Sequence, residues 1–121
     1  MIRRSGEVRA EQPDRAVNTE LRWLISARDG APNFEMRKFT LKPGGRIPKH
    51  MHPDIEHEQY ILRGRMVIGI GDEEHEVKEG DAVYIPAGTP HWYFNNSSED
   101  VEFICVIPRR EKYDTIYVGE C

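Results

Sequence analysis

The chain has 121 residues, a formal net charge of -4, and 31% charged against 38% hydrophobic residues. A soluble globular protein of one domain with a single modest core is expected from that length, with no second domain. The acidic balance excludes the concentrated basic field of a nucleic-acid surface, which the Arg3-Arg4 and Arg109-Arg110 pairs are too small to restore.

No apolar run approaches the roughly 20 residues that span a bilayer, and Met1-Ile2-Arg3-Arg4-Ser5 leads into no hydrophobic signal segment. No membrane partner is therefore expected, and the location expected is cytoplasmic. Cys105, mid-strand, and Cys121, at the end, do not make a disulfide framework or a zinc-finger spacing; Cys105 reads as a reduced core thiol.

Residues 1–18 are charged and carry little apolar periodicity, so they read as an N-terminal arm, either flexible or ordered only against a partner. The domain proper is placed at 19–108. Strand character begins at Leu21-Arg22-Trp23-Leu24-Ile25-Ser26, stops at the Arg28-Asp29-Gly30 turn and resumes over Phe34 to Leu41. Lys42-Pro43-Gly44-Gly45 is predicted to be a turn that swings the following histidines inward.

Further strands are predicted from His57 to Leu62, Met66 to Ile70, His75 to Lys78, Asp81 to Ile85, His91 to Phe94 and Val101 to Ile107. Pro86 and Pro108 each close one of them. Residues 109–121 form a tail whose stretch from Lys112 to Val118 still alternates and reads as a possible edge strand. Short strands with Gly, Pro and Asn turns and no helical period point to an all-β sandwich or barrel.

Four of the five histidines fall in two Gly/Pro-bracketed clusters, His50, His52 and His57 in one and His91 in the other. Imidazole is the commonest side-chain metal ligand, and a His-x-His pair on an extended segment presents both rings on one face. His75 lies beside the acidic Gly71-Asp72-Glu73-Glu74 turn, away from both clusters, and is excluded. Glu56 and Glu58 flank His57, but strand alternation points them away from the face that carries His57, Gln59 and Ile61.

The spacing Gly44-x5-His50-x-His52-x4-His57-x6-Gly64 resembles the first cupin motif, and Gly80-x5-Pro86-x-Gly88-x2-His91-x3-Asn95 is similar to the second. The departure is His57, where the family's usual ligand is glutamate. The resemblance implies a cupin jelly-roll barrel (a double-stranded β-helix) of the small, four-histidine subgroup. It also implies one divalent ion held by His50, His52, His57 and His91, with manganese expected ahead of iron, zinc, nickel or copper.

Four neutral imidazoles leave the full charge of a divalent cation uncompensated, which suits an anionic or enolisable small substrate. Alternation places Ile47, Gln59, Tyr93, Phe103 and Cys105 as candidate pocket residues, with Gln59 and Tyr93 the polar handles. The reading placed first is a metal-dependent, dioxygenase-like enzyme acting on a small organic molecule such as a carboxylate. The alternatives are non-catalytic binding or sensing of a small ligand, and a purely structural metal. A homodimer is expected through the N-terminal strands and the tail, because Trp23, Leu24, Tyr113, Ile116 and Tyr117 are costly to leave in water.

Overall fold

The structure is a computed structural model that describes residues 1–118; Cys121 and the last part of the predicted tail lie outside the described residues. The strands run β1 (Val17–Ile25), β2 (Phe34–Met51), β3 (His57–Arg63), β4 (Arg65–Ile70), β5 (Glu73–Lys78), β6 (Ala82–Ile85), β7 (His91–Phe94), β8 (Val101–Pro108) and β9 (Ile116–Tyr117). All pair antiparallel, in the order β5-β4-β7-β2-β8-β3-β6, with β1 and β9 also on β2. This is the all-β jelly-roll barrel expected of the sequence.

The strand common to both layers is β2. Its first half, from Phe34 to Leu41, pairs with β8 in one layer, and Arg46, Ile47 and His50 pair with β7 in the other. The turn predicted at Lys42-Pro43-Gly44-Gly45 is a bend within one continuous strand. Val17 faces Arg46 while Thr19 faces Leu41, so residues 42–45 arch out opposite Asn18 alone. Gly44 takes the left-handed conformation at φ 80°. A Cβ on Gly45 would meet the Lys42 carbonyl at 2.7 Å and the Asn18 carbonyl at 2.8 Å, so the bulge needs glycine there for close backbone approach.

Strand periodicity explains the core. Along β8 every second residue is buried (Val101, Phe103, Cys105, Ile107), and along β3 so are His57, Gln59 and Ile61, leaving Tyr60 and Leu62 outside. Phe103 is the hinge of packing between the layers. Its ring stacks on Phe39 at 5.0 Å and on Tyr93 at 5.2 Å, interplanar angles 13° and 18°. Burying a ring of that size contributes about 2–3 kcal/mol.

The described residues of both end segments lie on the chain's own barrel. Arg3 holds Asp29 through Nη1 at 2.9 Å and Nη2 at 2.7 Å, Glu11 and Leu21 exchange backbone hydrogen bonds, and Ala16 is buried. The tail's predicted edge strand is the short β9, which pairs His50 with Tyr117 and Met51 with Ile116. Trp23 packs against the core with Tyr113 at 6.2 Å from its ring. No helix among the described residues is long and apolar enough to cross a membrane.

Candidate metal centre

The four clustered histidines converge from both layers. His50, near the end of β2, stands opposite His91, the first residue of β7, in the strand register. His52 follows one residue beyond β2, and His57 opens β3 in the other layer. One ring nitrogen each from His50, His52 and His91 lies within 4.8 Å of the others. His57 lies outside that tightest trio, its ring centroid 4.8 Å from His91 and 5.2 Å from His52.

The hydrogen bonds define which nitrogen each ring presents. Nδ1 of His50 lies 2.7 Å from the Pro48 carbonyl, Nδ1 of His52 2.9 Å from that of Asp114, and Nδ1 of His91 2.9 Å from that of Thr89. A carbonyl only accepts, so these Nδ1 atoms carry the proton and donate, leaving each Nε2 with a free lone pair. Nδ1 of His57 faces the Cys105 sulfur at 3.4 Å. The Nε2 atoms of His57 and His91 are buried with no hydrogen-bond partner. Buried nitrogens of this kind are costly unless something binds them.

Burial also keeps the rings neutral. It is the largest influence on all four, lowering His50 to about 4, His57 to about 2 and His91 to about 3, and lowering His52 as well. The Arg37 guanidinium pushes each in the same direction. Neutral imidazole with a free Nε2 lone pair is the form that ligates a cation. The donor set therefore fits a divalent metal ion, with Pro48, Asp114, Thr89 and Cys105 orienting the rings from behind.

A cavity of about 270 Å³ opens onto these rings. Of the predicted pocket residues, Ile47, Gln59 and Tyr93 line it; Phe103 and Cys105 do not. Phe103 is instead sandwiched between Phe39 and Tyr93. Cys105 sits behind the wall, where its sulfur accepts from Arg37 Nη2 at 3.2 Å and Gln59 Nε2 at 3.4 Å. Gln59 Nε2 also donates to the Tyr93 hydroxyl at 2.7 Å, and burial pushes that hydroxyl's pKa up.

Residues that the sequence did not single out for the pocket complete the wall: Arg37 and Phe39 from β2, Leu21 from β1, Glu11 and Asp14 ahead of β1, and Tyr117 from β9. Tyr117 reaches the Asp14 carboxylate at 3.3 Å, which ties the two chain ends together at the cavity. Only Arg37 had a signal in the sequence, a cation in phase with Phe39 and Leu41. His75 is exposed on β5, 3.3 Å from Glu73, as expected. Glu56 and Glu58 are exposed too; partial desolvation, then the hydrogen bond and charge of Glu56, push Glu58 up to about 7.

The structure is thus a small, curled antiparallel β-barrel with a histidine cluster at the seam of its layers. The chain belongs to the cupin family: the family's cupin domain matches residues 37–107. The polyketide cyclase RemF from Streptomyces resistomycificus is 33% identical with a TM-score of 0.85, covering 99% of this chain and 89% of that one. The Streptomyces cyaneus protein named polyketide synthase CurC is 26% identical over 81% of this chain and 64% of its own length. Quercetin 2,3-dioxygenase of Bacillus subtilis is 31% identical over 58% of this chain and 21% of its own. The chain thus spans less than two thirds of both curated relatives.

Proposed function

We propose that the chain is a mononuclear metal-dependent enzyme in which His50, His52, His57 and His91 together hold one divalent cation, as in the four-histidine subgroup. The observation that carries this reading is the shared orientation: each Nδ1 is engaged from behind, and Nε2 of His57 and His91 is buried without a partner. A donor set made only of imidazole favours zinc, iron, nickel or copper over the manganese expected from the resemblance. When bound, such a cation supplies Lewis acidity toward a carbonyl oxygen, undiminished by any anionic ligand.

The reaction proposed is the cyclisation of a poly-β-ketone by intramolecular aldol condensation. A carbon–carbon bond forms between an enolised carbon and a carbonyl carbon, and water leaves. The likeness to RemF over nearly the whole chain supports this class above the dioxygenase expected from the sequence. Leu21, Ile47 and Phe39 give the cavity an apolar wall that excludes water, and Gln59 with the Tyr93 hydroxyl orients polar groups of the substrate. Glu11 and Asp14 line the same cavity and are the carboxylates available to take the proton released on enolisation.

The partial likeness to quercetin 2,3-dioxygenase keeps dioxygen chemistry as the second reading. The two part in one experiment. Protein loaded with zinc or iron is incubated with a synthetic poly-β-ketone, while product mass and dissolved oxygen are followed. Loss of water without oxygen uptake supports the cyclase; oxygen uptake and a heavier product support the dioxygenase. A homodimer is part of the proposal as well, formed through the outer face of β3, β6 and β8 rather than through the chain ends.

A further inference from the structure

Arg37 is the cation that the proposed chemistry leaves without a task. It stands on β2 between Trp23 of β1 and Cys105 of β8 in the strand register, in phase with the buried Phe39 and Leu41. Its guanidinium carbon lies 5.0 Å from the Phe39 ring centroid and 5.4 Å from that of Trp23, so two aromatic rings hold it in place. Nη2 donates to the Cys105 sulfur, and Nε is buried with no partner. A guanidinium is always charged, and burying one of its donors unpaired is costly.

Each of the neighbouring carboxylates accepts a hydrogen bond from another group and none pairs with Arg37, although Glu35 Oε1 is itself buried without a partner. Glu11 Oε1 accepts from Trp23 Nε1 at 3.0 Å, Asp14 Oδ2 from the Tyr117 hydroxyl, and Glu35 Oε2 from the Ala27 backbone at 2.8 Å. None of the ion pairs among the described residues includes Arg37. Arg37 nevertheless lines the same cavity as the four histidines. That cavity carries a fixed positive charge and a rigid, partly unsatisfied donor fork, the arrangement that recognises a planar anionic group.

We infer that Arg37 is the substrate's anion-binding residue: it takes a carboxylate, or the paired oxygens of an enolate or phenolate, in the cavity that it shares with the histidines. Within the proposed class the substrate is therefore an anion, a poly-β-ketone that carries a terminal carboxylate or enters as its enolate, which an uncharged analogue of the same shape does not match. This deepens the reading of the cavity as the substrate site and rests on it.

The test uses para-fluorobenzoate and para-fluorobenzamide, alike in shape and different in charge. Each is titrated into the full chain and followed by fluorine NMR, in metal-free protein and after loading with zinc. Expected is a preference for the carboxylate of at least about tenfold in both forms, the range of a charge-assisted hydrogen bond. Arg37→Gln should abolish the preference and leave the weak amide binding unchanged. Arg37→Lys, which keeps the charge and loses the fork, should retain part of it, and carries the test alone if Arg37→Gln does not fold.

Equal affinity for the two probes overturns the inference, as does an unchanged preference in the folded variant or no binding of either at millimolar concentration. So does a preference confined to the zinc-loaded form, since that assigns the anion to the metal. If the protein fails to take up zinc while the Arg37-dependent preference persists, the metal reading falls and this inference stands.

Discussion

His57 and Cys105 face each other across β3 and β8, Nδ1 of the ring 3.4 Å from the sulfur, and neither is exposed. The same sulfur accepts from Arg37 and Gln59, so one side chain behind the cavity wall orients a ring of the histidine cluster, a cavity amide and the cavity's cation. Replacing Cys105 with Val keeps an apolar branched side chain there but removes the acceptor shared by three polar groups. The expected result is a loss of metal affinity of about 10- to 100-fold, together with about 1–3 kcal/mol of stability. Cys105→Ser, which keeps an acceptor, should lose less of both. Metal competition titrations and urea unfolding measure the two effects; a Val variant with wild-type metal affinity would remove Cys105 from the site.

The ligand assignment itself is tested by alanine substitution at His52 and His75. Both histidines are partly or largely exposed, so neither substitution leaves a large cavity, but only His52 points its Nε2 toward the cluster. His52→Ala should lower bound metal at least about 10-fold by the loss of one ligand from the set, and His75→Ala should leave it unchanged. Elemental analysis of both proteins decides, and equal metal content sinks the assignment.

The strand motif made the histidines legible because ligand spacing and the two-residue period act together. His57, Gln59 and Ile61 had to share a face, and they do. Arg37, Glu11, Asp14 and Tyr117 were not legible as neighbours, since they reach the cavity through pairings between distant segments that no local pattern encodes. Phe103 and Cys105 show the limit of alternation: it places a side chain inward, and does not say whether it meets the cavity or the layer behind it. The bend at Gly44 and Gly45 read as a turn between two strands because the same glycine chemistry serves a turn and a bulge.

That bulge supplies a third prediction. Gly45→Ala places a methyl group 2.7 Å from one backbone carbonyl and 2.8 Å from another, and backbone cannot swing away as a side chain can. A cost of about 1–3 kcal/mol is expected from the strain. Because β2 carries His50 beyond the bend, metal affinity should fall with stability. Gly80→Ala, at φ 92° with nothing near the added carbon, is the control that isolates backbone strain from collision. If Gly45→Ala unfolds at the wild-type urea concentration, the bulge is not held by close approach.

Acidification should weaken the metal-free fold from the ordinary imidazole range downward. The buried histidines titrate lower when folded, His50 at about 4 and His91 at about 3, than near 6.5 when unfolded. Between those values the unfolded chain binds more protons, so stability is complete above about pH 6.5 and declines as pH falls toward 4. Glu58, pushed up to about 7, works the other way: it gains protons in the folded state over the same window. It is exposed and screened, so the four histidines dominate. Urea midpoints in chelator at pH 7.5, 6 and 5 should fall in that order, and loading with zinc should shift the decline to lower pH. A midpoint independent of pH across this range would contradict the burial of the imidazoles.

The proposed dimer can be separated from the interface the sequence suggested. Trp23 and Tyr113 pack together and β9 is paired with β2, so much of that surface already has partners within one molecule, although Tyr113 and Ile116 stay partly exposed. The outer face of the sheet is left uncovered. Tyr84 of β6, Glu58 of β3, Val106 of β8 and Met36 of β2 form one row in register, and Tyr60 and Ile104 lie in the next. Tyr84 is 59% exposed and Tyr60 50% exposed. Covering such a face with a second copy returns about 25 cal/mol per Å² of apolar surface, and a two-fold axis lets one patch serve both molecules. Light scattering of the full chain should give twice 14.1 kDa, and Tyr60→Lys with Tyr84→Lys should return the single-chain mass without loss of bound metal. A double variant that stayed dimeric, or a variant lacking residues 1–10 that became monomeric, would move the interface back to the chain ends.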